Sequence, residues 1–191
     1  MPCCLGFCMF QHPFTLEKIL DLGPEQIQFL LSRAKEIKKA YIQKKSSLPP
    51  QEGRKKSVLT FFKEPSTRTR LSFSQACHLL GVQCTHLEKD FSSLMKGEDL
   101  EQTFITFSQL GYDLCVFRTP VARELAPLLN FPPLSLINAG DGDHEHPTQA
   151  LGDLFTFLEL NLFQKGKKKF FLQDNLNPSG KNGLRGNCLE S

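Results

Sequence analysis

A chain of 191 residues is long enough for one complete α/β domain, or for one domain and part of a second. Its 40% hydrophobic and 23% charged residues are typical of a soluble globular protein. The net charge of +3 is too small to indicate nucleic-acid binding, and the basic runs carry no regular aromatic interleaving. The apolar stretch at residues 2–10 is too short for a membrane span or a signal peptide and lacks a basic n-region.

The seven cysteines form an odd set without paired CxxC motifs, which favours reduced thiols in a cytoplasmic protein. Three of them are expected to be buried: Cys77, Cys84 and Cys115. Palmitoylation or metal binding at Cys3, Cys4 and Cys8 is the alternative to a loose N-terminus, and a disordered segment 1–12 is the prediction.

The first helix is predicted after Gly23, because Pro24 suits the first helical position and apolar residues then recur on one face. A polar loop is predicted from Lys44 to Gly53. Strands are then predicted at 57–62, 82–88, 113–118, 134–138 and 168–173, and helices at 67–80, 98–109, 121–129 and 147–161. This alternation predicts an α/β fold, with a mainly parallel sheet and helices on both faces in three α/β/α layers.

The segment 64–70 stands between a predicted strand and a predicted helix. It supplies hydroxyl and guanidinium groups beside the free N–H groups of a helix start, from Ser66, Thr67, Arg68 and Thr69. Such an arrangement suits an anion, and arginine adds bidentate recognition of phosphate. The motif therefore predicts a phosphate-bearing small molecule as ligand. The alternative is that Ser66 only caps the helix while the arginines lie in solvent.

Three further polar clusters also follow predicted strands. Their candidate ligands are Ser92, Lys96, Arg118, His146 and Gln149. Because ligands of parallel sheets bind at the carboxyl ends of the strands, these clusters are expected to meet at one crevice. The alternatives, taken singly, are a solvated lysine, a surface ion pair, a helix cap and an exposed first-turn glutamine. No metal is predicted, since His144 and His146 lack further ligands at suitable spacing.

These motifs resemble those of the aspartate/ornithine carbamoyltransferase family, and the aspartate branch most closely. The signature F-x-[EK]-x-S-T-R-T stands at 62–69, H-P-x-Q stands at 146–149, and S-x-x-x-K-G-E stands at 92–98. The resemblance extends over about residues 12–165. It implies the carbamoyl-phosphate-binding domain of the carbamoyltransferase fold over 13–163, followed by a truncated start of the aspartate-binding domain over 164–191.

The resemblance also implies a reaction, in which the carbamoyl group of carbamoyl phosphate passes to L-aspartate, a step of de novo pyrimidine biosynthesis. Carbamoyl phosphate would be bound by Ser66, Thr67, Arg68, Thr69, Arg118, His146 and Gln149. Arg68, Thr69, Arg118 and His146 would form the catalytic set. Ser92 and Lys96 would reach the site from a neighbouring subunit of a homotrimer. No cofactor, nucleic acid or membrane is implied.

Members of this family are considerably longer than this chain, and their second domain binds the amino acid. We therefore expect the isolated chain to retain the carbamoyl-phosphate half-site with little or no turnover. One alternative is a non-catalytic module that binds carbamoyl phosphate or forms trimers. The other is the ornithine branch, which Lys96 disfavours. Two residues depart from the usual family pattern, namely Ser74 and Thr119.

Overall fold

The computed structural model describes residues 13–43, 56–88, 99–129 and 134–161. Within these ranges the strands form one sheet in which every pairing is parallel. The strands are β1 (Thr15–Leu16), β2 (Ser57–Phe62), β3 (Gln83–Glu88), β4 (Leu114–Thr119) and β5 (Ser135–Asp141). Their order across the sheet is β1-β5-β4-β2-β3, so β2, β4 and β5 are direct neighbours.

Four α-helices lie in the described ranges, and the first three stand between successive strands, where parallel pairing requires crossover connections. They are α1 (Pro24–Ile42), α2 (Thr67–Leu80), α3 (Leu100–Gln109) and α4 (Pro147–Glu159). Proline stands at the first position of both α1 and α4, where its missing N–H has no helical acceptor to lose. Gly81 ends α2 in the left-handed conformation, with φ of 65°. None of the helices in the described ranges combines the length and the apolarity needed to cross a bilayer.

The hydrophobic core has two halves, one on each face of the sheet. On one face Phe61 and Phe117 pack with Phe104 and Phe107 of α3. On the other face Val58, Phe62 and Val116 pack with Cys77 of α2. Strand β2 contributes to both halves because successive side chains of a strand point to opposite faces. The predicted three-layer arrangement is therefore confirmed.

The predicted helix at 121–129 is wrong. This segment is a turn followed by one short 3-10 helix, Ala126–Leu128. Arg123 has a left-handed φ of 58°, and its backbone N–H donates to the Asp141 carboxylate at 2.8 Å. Pro127 lacks an N–H, so it cannot donate the hydrogen bond to the Arg123 carbonyl that a continuous α-helix would need. A long-range hydrogen bond and a proline thus outweigh the helical spacing of the apolar residues.

Other differences are smaller. Strand β1 was not predicted; it pairs only Thr15 and Leu16 with β5. Strand β5 runs three residues beyond its predicted end, to Asp141. Cys77 and Cys115 are buried free thiols as expected, whereas Cys84 is only partly buried. The predicted loop at 44–53, the strand at 168–173 and the N-terminal segment 1–12 lie outside the described residues.

Candidate active site

The carboxyl ends of β2, β4 and β5 lie side by side at one edge of the sheet. Phe62 pairs in register with Arg118, and Phe117 pairs with Asn138. Because all three strands run in the same direction, the segments that follow them emerge at the same edge. These segments are the ones that carry three of the four predicted clusters. The fourth cluster, with Ser92 and Lys96, lies outside the described residues.

The segment after β2 forms the start of α2. Ser66 occupies the N-cap position, but its side chain caps no backbone N–H. Its hydroxyl instead donates to the Thr69 hydroxyl at 3.0 Å. The first-turn N–H groups of a helix have no intrahelical acceptor, so those of Thr67 and Arg68 are available to a ligand. Both of these residues are exposed. The helix start therefore offers several hydrogen-bond donors and a partial positive charge to an anion.

Arg118, at the end of β4, is held at two points. Its Nη1 donates to the backbone carbonyl of Ala139 at 2.8 Å, and its Nη2 pairs with Glu64 Oε1 at 2.6 Å. Both side chains of the pair are 20% exposed. Its buried Nε has no hydrogen-bond partner among the residues that the structure describes. The guanidinium group is thus fixed in orientation and still keeps N–H groups for a ligand.

Gly140, near the end of β5, lets Arg118 and His146 come together. A Cβ at this position would stand 2.5 Å from Arg118 Nη1 and 3.3 Å from His146 Cδ2. The φ of Gly140 is +114°, a conformation that side chains rarely adopt. Both reasons require glycine here. The guanidinium and the imidazole are consequently neighbours across this residue.

His146 is held as a neutral imidazole. It is the N-cap of α4, where its Nδ1 accepts the backbone N–H of Gln149 at 3.4 Å. Burial, followed by the positive charge of Arg118, lowers its pKa to about 4. The Thr148 hydroxyl lies 3.2 Å from Nδ1 and can donate to the same nitrogen, an arrangement that places the proton of the neutral ring on Nε2. His146 can therefore donate one hydrogen bond to a ligand without carrying a charge.

This environment predicts a pH dependence of stability. His146 titrates near pH 6.5 when unfolded and near pH 4 when folded, so the unfolded state binds more protons between these values. Its contribution is complete above pH 6.5 and decreases as the pH falls towards 4, by at most about 3 kcal/mol. Urea unfolding of the wild type and of His146→Gln between pH 4 and 8 checks this. Parallel curves for the two proteins would contradict it.

Asp141 organises the loop that leads to His146. The carboxylate is 1% exposed and accepts the backbone N–H groups of Glu145 and Arg123, both at 2.8 Å. It also contacts Asn138 Nδ2 at 3.0 Å and His144 Nδ1 at 2.9 Å. Asp141 was not among the site residues predicted from the sequence. An aspartate between two glycines at a strand end was the available signal.

Gln149, one of the predicted ligands, already has a hydrogen-bond partner in its own helix. The side-chain amide of Gln149 donates to Asp153 Oδ1 at 2.9 Å, one turn further along α4.

Glu64 was also missed as a site residue, although it belongs to the first motif and pairs with Arg118. In the described part of the chain, no group of three or more histidine, cysteine, aspartate or glutamate side chains could hold a metal ion. The roles of the individual site residues stay predictions.

The protein-family model described as aspartate/ornithine carbamoyltransferase, carbamoyl-P binding domain, matches residues 15–159 of this chain. The chain belongs to this family. The chain is similar to aspartate carbamoyltransferase catalytic subunits. It is 42% identical to that of Aquifex aeolicus over 149 residues. That alignment covers 76% of this chain and 47% of the relative. The chain thus spans about half the length of the curated relatives it matches.

Solved carbamoyltransferase structures share the fold. An aspartate transcarbamoylase from Trypanosoma cruzi, in complex with carbamoyl phosphate and aspartate, aligns with a TM-score of 0.68 and 28% identity. The alignment covers 76% of this chain and 44% of that one. An anabolic ornithine carbamoyltransferase from Campylobacter jejuni aligns with a TM-score of 0.66 and 30% identity, over 78% and 46% of the two chains. Both branches of the carbamoyltransferase family therefore have this domain fold.

Proposed function

We propose that this chain provides the carbamoyl-phosphate half of an aspartate carbamoyltransferase site. The proposal is carried mainly by one observation: Arg118 and a neutral His146 are neighbours at the strand ends from which α2 also begins. The start of α2 would bind the phosphate through backbone N–H groups and the side chains of Ser66, Thr67, Arg68 and Thr69. Arg118 would contact both the phosphate and the carbonyl oxygen.

The proposed chemistry follows from these donors. The α-amino group of aspartate attacks the carbamoyl carbon, and negative charge develops on the carbonyl oxygen. Thr69, Arg118 and His146 Nε2 donate hydrogen bonds to that oxygen, and the loss of one such donor typically costs about 3–4 kcal/mol. Phosphate then leaves and can accept the amine proton. Fixing both reactants in one cleft supplies further acceleration.

Several parts of the proposal concern more than the described residues. Ser92 and Lys96 would enter the site from a neighbouring subunit of a homotrimer, and Gln149 would hold the carbamoyl amine after leaving Asp153. The chain would comprise a carbamoyl-phosphate domain over 13–163 and the beginning of an aspartate domain over 164–191. The chain spans about half the length of its relatives, and we propose that it binds carbamoyl phosphate with impaired but measurable turnover.

A paired titration and activity assay test this function. Freshly prepared carbamoyl phosphate, and separately inorganic phosphate, are titrated calorimetrically into the wild type and into Arg68→Ala. We expect binding to the wild type and loss of detectable binding to the variant, because the guanidinium is a bidentate phosphate ligand. Arg33→Ala is the matched control, since Arg33 is an exposed arginine of α1 that pairs with Glu36.

The outcomes separate the alternatives. Equal affinity of Arg68→Ala and the wild type would contradict the site assignment. Binding without any product would favour a non-catalytic module. Formation of carbamoyl-aspartate supports the aspartate branch, whereas formation of citrulline from ornithine would support the other branch.

A further inference from the structure

A second set of contacts, separate from the Glu64–Arg118 pair, links the ends of β2 and β4. Lys63 Nζ forms an ion pair with Glu124, and both side chains are 18% exposed. The other carboxylate oxygen of Glu124 accepts the hydroxyl of Thr119, which is fully buried. The backbone N–H of Val121 donates to the same hydroxyl at 3.2 Å. We call Lys63, Thr119 and Glu124 the strand-end network.

This network lies directly beside the candidate site in the chain. Lys63 precedes Glu64, which pairs with Arg118, and Thr119 follows Arg118. The backbone N–H of Lys63 also donates to the carbonyl of Arg118 at 2.8 Å. Glu124 therefore joins, through side chains, the two strand ends that this backbone bond joins directly. The start of α2 and the Arg118 guanidinium both extend from these ends.

We propose that Glu124 is a positioning residue, which sets the distance between the α2 start and Arg118 so that both can engage one phosphate group. Glu124 itself does not touch the ligand. Glutamine has one acceptor oxygen in place of two and no charge, so it leaves either the partly buried Lys63 ammonium or the buried Thr119 hydroxyl without its partner. An unpaired polar or charged group that is partly buried raises the free energy of the folded state. The strand ends therefore move relative to each other until the group finds another hydrogen-bond partner. This inference rests on the proposed function.

Charge and position make opposite predictions for Glu124, and this makes the test decisive. Removing a carboxylate near the site makes the crevice more positive, which by itself would strengthen anion binding. Loss of positioning weakens anion binding, because the donors no longer converge on one phosphate group. A purely structural role would lower the unfolding temperature and leave the affinity of the folded protein unchanged.

The experiment measures Kd for inorganic phosphate and carbamoyl phosphate by calorimetry, with circular dichroism as the check of folding. We expect Glu124→Gln to raise both Kd values about tenfold, which corresponds to about 1.4 kcal/mol. Glu159→Gln is the matched control. It removes one carboxylate from an ion pair with Lys38 on α1, at the far end of α4 from His146.

A neutral pair of variants tests the same inference if Glu124→Gln does not fold. Thr119→Val removes the hydroxyl without changing charge or shape, and we expect weaker anion binding. Thr119→Ser retains the hydroxyl and should bind as the wild type does. Unchanged or tighter binding by Glu124→Gln or Thr119→Val, with a binding-competent wild type, overturns this inference alone. A wild-type chain that binds neither anion overturns the proposed function together with this inference.

Discussion

Replacement of Arg118 by alanine should weaken the binding of carbamoyl phosphate about 100-fold, as expected for the loss of a bidentate, charge-assisted contact. The guanidinium is held in place by Ala139 and Glu64, so its orientation is set before a ligand arrives. Preorganised donors contribute more to affinity than mobile ones because no side-chain entropy is lost on binding. The effect should therefore exceed that of the control Arg33→Ala, which removes an exposed arginine of α1. Calorimetric titration of the folded variant measures it.

Arg118→Lys is the informative companion variant. Lysine retains the positive charge but cannot contact Ala139, Glu64 and a ligand at once in a planar arrangement. We expect an affinity between those of the wild type and Arg118→Ala. If Arg118→Ala bound carbamoyl phosphate within about threefold of the wild type, the assignment of Arg118 as a ligand would fail. The threefold limit corresponds to about 0.6 kcal/mol.

Asp141→Asn should lower the free energy of unfolding by about 3 kcal/mol, although it changes neither size nor shape. The carboxylate accepts hydrogen bonds through both oxygens, from the backbone of Glu145 and of Arg123. An amide has one oxygen, so its NH₂ group would face one of these N–H donors. A buried donor is then left unsatisfied in a site that is 1% exposed.

Urea denaturation measures this loss of stability, and Asp143→Asn provides the control. Asp143 lies two residues further along the same loop and is exposed, so its substitution should change stability by less than about 0.5 kcal/mol. A loss below about 1 kcal/mol for Asp141→Asn would show that the loop tolerates an amide there. The network around Asp141 would then not be what holds the approach to His146.

Much of the fold was accessible from the sequence because its strands and helices have strong local patterns. Strand β2 is apolar at both alternating sets of positions, which is typical of a strand buried on two faces. Helix α2 is bounded by a serine at its start and a glycine at its end, and its predicted and observed ranges agree. The positions of Arg118 and His146 at the edge of the sheet also followed from the order of these elements.

Prediction from the sequence failed where local patterns and long-range contacts favour different structures. The apolar spacing at 121–129 indicates a helix, but the carboxylate of Asp141 binds the backbone of Arg123 and holds a turn. The sequence also did not show which face of α2 is exposed to solvent. Leu71 belongs to the apolar pattern of this helix, yet its side chain is 60% exposed. Which side of a helix becomes buried depends on the elements that pack against it.

The sequence by itself determined the α/β class, the places where the polar motifs follow strands, and the resemblance to the carbamoyltransferase family. Only the tertiary structure decided that Glu64 holds Arg118, that His146 is neutral, and that Glu124 joins two strand ends. The physical reason is the range of the interactions. Propensities, caps and turns act over a few residues, whereas ion pairs and desolvation depend on groups that folding brings together from distant parts of the chain.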